Sequence, residues 1–150
     1  MGAQTWLTYP SAISNKLTTE LNTLTDGSVC ALSAEIDNST NQHPFADFQL
    51  DLASLTISST TAYVDVFAVP TVDATNYPDW STGAVASYHW AYKIGTILVK
   101  NVSSTTARAN VQECRIPPGK FKVAVRNGVG ASFAGSGNTL GMRTYALNSA

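Results

Sequence analysis

Residues able to do chemistry are sparse in this chain and stand apart from one another. His43 and His89 are isolated, followed by Pro44 and Trp90, and neither they nor Cys30 and Cys114 fall at a spacing that gathers metal ligands. They read as surface or loop-packing histidines, and no cofactor or metal is expected. Asp47, Asp51 and Asp65 occupy outward positions of alternating segments. Paired carboxylates can support glycoside hydrolysis, but solvated strand faces account for these three and no second feature points to hydrolysis. There is no Gly-x-Ser-x-Gly element and no phosphate loop, and Gly128-Val129-Gly130 precedes no helix signal, so a dinucleotide-binding turn is excluded. The expectation is a protein that is not an enzyme.

Aromatic side chains offer a second kind of site. Tyr77, Trp80, Tyr88, Trp90 and Tyr92 lie close in sequence, and aromatic faces beside Asp or Asn are what a shallow carbohydrate site uses. Tyr88, Trp90 and Tyr92 also stand at strand spacing on one face, which is equally how a core or a subunit contact is built. Tyr77 and Trp80, in a loop, are therefore candidates for a ligand or an interface. Lys120, Lys122 and Arg126 cluster, but their spacing makes them the solvated face of a strand.

Composition narrows the partners. Of 150 residues only 13% are charged, with a net charge of -1, which argues against nucleic acid because phosphate binding needs a clustered basic surface. Eighteen Thr and fifteen Ser stand where Lys and Glu are usual. A hydroxyl-rich, weakly charged exterior suits contact with other subunits. No apolar stretch approaches the ~20 residues of a membrane span, so no membrane is expected. The start Met1-Gly2-Ala3-Gln4-Thr5-Trp6 lacks the basic and apolar regions of a secretory signal, and Trp6 breaks the myristoylation pattern. Cys30 and Cys114 are expected as free buried thiols.

The elements that must position these residues follow from periodicity. Ile13, Leu17, Leu21 and Leu24 recur at helical spacing, with Ser11 as a cap and Asp26-Gly27 as a stop, which predicts a short amphipathic helix. Its apolar stripe either packs across an open end of its own domain or docks on a neighbouring subunit. Residues 1–28 are thus expected as an N-terminal arm and residues 29–150 as a β-sandwich domain. From Val29 the period is two. Cys30, Leu32, Ala34 and Ile36 share one face; Phe48, Leu50 and Leu52 share another, with a slip to Leu55 and Ile57 that predicts a bulge near Ala53-Ser54. Tyr63 to Val69 is apolar on both faces apart from Asp65 and reads as a covered central strand. A long ordered loop follows from Pro70 to Ser87. Further strands are expected over about 87–92, 95–102 and 107–116; after the turn at Pro117-Pro118-Gly119 come Phe121, Val123 and Val125, and a last strand over 139–147. Some eight short strands without alternating helices predict an all-β, jelly-roll-like antiparallel sandwich, ahead of an immunoglobulin-like one, whose Cys-Trp-Cys pattern is missing.

Four stretches carry a resemblance. They are Phe45-Ala46-Asp47-Phe48-Gln49-Leu50; Val69-Pro70 with Asp73-Ala74-Thr75-Asn76-Tyr77-Pro78-Asp79; Ile116-Pro117-Pro118-Gly119-Lys120-Phe121-Lys122-Val123; and Ser136-Gly137-Asn138-Thr139-Leu140 with Arg143 and Tyr145. In this order they resemble a family of small virion structural proteins of tailed bacteriophages, of the head decoration or cement type. Where such proteins commonly read Asp-Gly-Thr-Asn-Tyr this chain has Ala74, so a different turn is expected. The resemblance implies a β-sandwich made in the host bacterial cytoplasm and carried on the phage head surface, with the major capsid protein and its own copies, as a dimer or trimer, for partners. No catalytic residues come with it. Strand edges and Trp6, Tyr9, Ile13, Leu17, Leu21 and Leu24 of the arm are the expected capsid or subunit contacts. The competing expectation is a tail- or fibre-associated module that binds carbohydrate or a receptor.

Overall fold

Alternation dictates the strands. Ala46, Phe48, Leu50 and Leu52 turn inward from one strand and Val64, Val66 and Ala68 from another, and all are buried in one apolar cluster. In the computed structural model, which describes residues 12–146, these strands lie in two antiparallel sheets that close over that cluster as an all-β sandwich. The strands are β1 (Ser14–Leu17), β2 (Ser28–Val29), β3 (Ile36–Asp37), β4 (Phe45–Ile57) and β5 (Tyr63–Pro70), then β6 (Gly83–Ala84), β7 (Lys93–Leu98), β8 (Val102–Arg115), β9 (Lys120–Gly128) and β10 (Thr139–Tyr145). One sheet has four strands in the order β1-β10-β4-β8. The other has six, in the order β6-β2-β9-β5-β7 with β3 also on β9.

The predicted bulge is present: the β4–β8 register shifts between Leu52 and Leu55, which returns Leu55 and Ile57 to the core. The Pro117-Pro118-Gly119 turn delivers β9 with Phe121, Val123 and Val125 inward and fully buried. Cys30 and Cys114 are free and buried, as expected.

Three elements differ from the sequence reading. The helix through Ile13, Leu17, Leu21 and Leu24 does not form. Its first part is β1, paired with β10 through Ser14↔Met142 and Leu17↔Leu140, and a 3-10 turn follows at Thr19–Leu21. Ser14, Asn15, Thr18 and Thr19 are weak helix formers, whereas strand addition satisfies the open backbone groups of β10 and still buries Leu17 and Leu21 completely. The four-residue leucine spacing is met by a strand followed by a turn. The strand expected over Cys30 to Ile36 is split into β2 and β3, because Ser33 Oγ and Cys30 Sγ accept the β9 N–H groups of Val123 and Val125 in place of carbonyls. Ser87–Tyr92 is a 3-10 turn and not a strand, held by the His89 ring.

Candidate functional site

The outward face of the six-stranded sheet carries the densest arrangement of polar and aromatic groups. Cross-strand register sets Thr96, Asp65 and Arg126 side by side on β7, β5 and β9, with Leu98, Tyr63 and Gly128 in the next rank. The Asp65 side chain is only 1% exposed, so it needs partners in place of water. It has them: Lys93 Nζ at 2.7 Å and the Thr96 hydroxyl at 2.8 Å on Oδ1, and Arg126 Nη1 at 3.5 Å on Oδ2. Asp65 is therefore a buried ion-pair centre, not the solvated carboxylate expected from alternation. Arg126 is held by other means as well. Its Nη1 donates to the Tyr63 hydroxyl at 2.5 Å, and its guanidinium lies 5.4 Å from the Tyr63 ring centre and 5.5 Å from that of Trp90. Tyr63 in turn lies flat across Gly128, where a Cβ would meet the ring at 2.7 Å.

The loop after β5 caps the middle of this face. Trp80 stands edge-on to Phe67, with centroids 5.7 Å apart, and its Nε1 donates to the Cys30 carbonyl at 2.9 Å. His89 is fully buried against Trp80, at 4.3 Å between ring centres. The Ala86 N–H donates to His89 Nδ1, which places the ring proton on Nε2, facing the Ser81 carbonyl. This buried imidazole staples the loop and brings Trp90 onto Phe67 at 6.0 Å while leaving Trp90 43% exposed. Tyr63, Asp65, Trp90, Lys93, Thr96, Leu98 and Arg126 line an open depression of about 320 Å³.

Farther along β9 the cations are also engaged. Lys120 pairs with Glu35 at 2.8 Å, and Lys122 lies 4.4 Å from the centre of the Tyr77 ring. The hydrogen bond from Lys120, with one from Tyr77, holds Glu35 below the ordinary carboxylate range. Burial, aided by the bond to Glu35, pushes the Tyr77 phenol up to about 12. The expected solvated basic face is thus a set of local pairs. Ala74 takes a left-handed φ of 62°, a conformation strained for a residue that carries a Cβ. Asp73 secures it by accepting from the N–H groups of Asn76 and Thr75.

The outward face of the four-stranded sheet is of another kind. Arg143 Nε and Nη2 both donate to Asp47 Oδ2, at 3.0 and 2.9 Å, and Arg108 pairs with Asp51, which also accepts from Gln49. Burial works against ionisation of Asp51, but Arg108 and Gln49 hold its carboxyl below the ordinary range. Phe45 stacks on Tyr145 at 5.8 Å. Phe45, Asp47, Arg143 and Tyr145, which belong to two of the resembling stretches, thus meet through the β4–β10 register. Beside them β8 is an edge strand of 14 residues whose exposed side chains include Ser103, Thr105, Thr106, Asn110 and Gln112.

The structure distributes the sequence candidates unevenly. Leu17 and Leu21 lie in the core of their own domain, with Leu24 packed against it, and are not available to a partner. Ile13 is exposed over Gly141, and Trp6 and Tyr9 lie outside the described residues. Trp80 is a packing residue and Tyr77 is tied to Glu35 and Lys122. The residues missed are Tyr63, Asp65, Lys93 and Arg126 as a unit. The one signal for them was a lone Asp inside an otherwise apolar strand. Among the described residues no group of His, Cys, Asp and Glu could hold a metal ion, and no helix is long and apolar enough to cross a membrane. Compared with known proteins, the chain matches no family model and no curated sequence.

Proposed function

We propose that the protein is a structural component of a tailed-phage virion, a head decoration protein that attaches to the capsid lattice and to its own copies. The observation that carries this reading is the outward face of the four-stranded sheet. Asp47 and Asp51 are matched by Arg143 and Arg108, and beside these pairs the exposed groups of β8 are mainly amides and hydroxyls, with Glu113 and Arg115 at its end. Charges already paired within one subunit cost less to desolvate against another than lone charges do. The adjoining β8 edge presents backbone groups able to extend the sheet. A contact of ~1,200–2,000 Å² suffices for specific attachment, and lattice repetition adds avidity.

Two further features support the reading. Counting β2 and β3 as one interrupted strand and setting β6 aside, the sheets run 1-8-3-6 and 2-7-4-5, the order of a jelly roll, a fold common in viral capsid domains. Residues of two of the four resembling stretches, Phe45 and Asp47 with Arg143 and Tyr145, also meet on this face of the four-stranded sheet. On this proposal the role is one of attachment and not catalysis, and the location is the phage head surface.

Mixing the full chain with purified mature heads and sedimenting them tests the proposal. Saturation at a copy number set by capsid symmetry is expected, with heads more resistant to heat. Arg143→Glu, which places two like charges at one pair, should abolish co-sedimentation. Heads that bind nothing, or that bind Arg143→Glu equally well, would refute it.

A further inference from the structure

We propose that the depression between Trp90, Tyr63 and Leu98 is a binding site for an acidic polysaccharide, in which Lys93 and Arg126 engage a sugar carboxylate and Trp90 stacks on the ring. One buried carboxylate, Asp65, faces two cations, Lys93 and Arg126, so the site keeps one surplus positive charge. The cations also have more donors than acceptors. Asp65 Oδ1 is occupied by Lys93 and Thr96 at 2.7 and 2.8 Å, and Oδ2 meets Arg126 only at 3.5 Å. Arg126 Nε is buried without any hydrogen-bond partner, a costly state for a guanidinium donor. An anion at the rim relieves this surplus; a further apolar partner would not.

The aromatic geometry selects the kind of anion. Trp90 is fixed on its 3-10 turn by Phe67 below and by Lys93, 5.4 Å from its ring centre, yet it remains 43% exposed. A rigid, half-open indole beside a cation is a platform for the C–H face of a sugar, and its order is set before binding. Leu98, 76% exposed on the neighbouring strand, extends the apolar floor. The depression is open and shallow, so it suits a chain lying across it more than an enclosed small molecule. A single surplus charge matches one carboxylate per sugar. It does not match a phosphate backbone, which needs several cations in a row.

The test uses the full chain with hexagalacturonate, an α2,8-linked sialic acid hexamer, uncharged maltohexaose and a glutamate hexapeptide, each titrated by calorimetry and tryptophan fluorescence. Saturable binding of at least one acidic oligosaccharide is expected, with maltohexaose and the peptide at least tenfold weaker. Trp90→Ala and, separately, Lys93→Gln should each weaken it tenfold or more, and raising salt from ~0.05 to ~0.5 M should weaken it further. Lys93→Gln sits on a partly exposed side chain but removes a partner of Asp65, so a cooperative urea transition, even at a lower midpoint, would show that it folds. Leu98→Gln, at a more exposed position, serves as a second variant and should weaken binding without loss of fold. Absence of binding to both acidic sugars, equal binding of maltohexaose or of the peptide, or indifference to these three substitutions would overturn the proposal. It stands independently of attachment to phage heads.

Discussion

The clearest consequence of the fold concerns residues 14–28, two of whose leucines are buried in the core of the domain itself. Leu17 and Leu21 are both completely buried, between the strand β1 and the 3-10 turn that follows it. Replacing a buried leucine by alanine removes its transfer energy and leaves a cavity, together ~2–5 kcal/mol. With no surface left on either side chain, about 3 kcal/mol each is a fair central figure. Domains of this size have ~5–15 kcal/mol in all and m-values of ~1–3 kcal/mol/M in urea. Leu21→Ala should therefore lower the urea midpoint by about 1.5 M. A fragment of residues 29–150 loses both leucines, about 6 kcal/mol, and also strips the β1 partner from β10. It should show no cooperative transition by far-ultraviolet circular dichroism. If that fragment unfolds cooperatively within about 0.5 M of the full chain, β1 and its turn are an appendage and the packing argument fails.

Ala74→Gly relieves a left-handed φ of 62° and should stabilise the fold by about 0.5–1 kcal/mol after the greater freedom of glycine in the unfolded chain is deducted; a lower urea midpoint would contradict it. Asp65→Asn leaves Lys93 and Arg126 without their shared anion and should cost about 2–3 kcal/mol, below the usual range for a broken buried pair because Lys93 is partly exposed; an unchanged melting temperature would show that the cations are satisfied elsewhere. Burial pushes the Cys30 thiol from 9.0 up to about 12 and the Cys114 thiol up to about 11. Because the folded thiols bind their protons more tightly than the unfolded ones, their contribution to stability is full below pH 9.0 and declines from there toward about 11 to 12. Urea midpoints measured from pH 8 to 11 should fall less in Cys30→Ala than in the parent, and neither thiol should react with a disulfide reagent before unfolding. Gly128→Ala drives a methyl into the Tyr63 ring and should cost about 1–3 kcal/mol; a neutral effect on the urea midpoint would mean the ring moves aside freely.

What was legible in the sequence was what short-range periodicity encodes. Phe48, Leu50 and Leu52, the slip to Leu55, and Phe121, Val123 and Val125 each reveal a strand and its buried face without reference to any other part of the chain. The leucines at 17, 21 and 24 misled because their spacing fits a helix, and only the unpaired edge of β10, over a hundred residues away, decides for a strand. Tyr88, Trp90 and Tyr92 misled in the opposite sense: alternation suggested a strand, but the buried His89 ring takes the Ala86 N–H and winds the segment into a turn. The ion-pair centre was hidden for a similar reason. Asp65, Lys93 and Arg126 come from three strands, and nothing local to any of them signals the other two.

The two outward faces of the sandwich differ in a way that a single attachment surface does not require. On the four-stranded sheet Asp47 and Asp51 each have an arginine, which lowers the cost of covering that face with another protein. On the six-stranded sheet the acceptors run short and an indole is left half uncovered, an arrangement costly to leave unmet and suited to a small anionic ligand. A sandwich set on a particle by its four-stranded face necessarily turns the donor-rich face outward. The division predicts separable phenotypes. Arg143→Glu should remove attachment and leave acidic-sugar binding intact, while Lys93→Gln should do the reverse. One substitution that abolished both would show that the faces are not independent, and would count against assigning each its own partner.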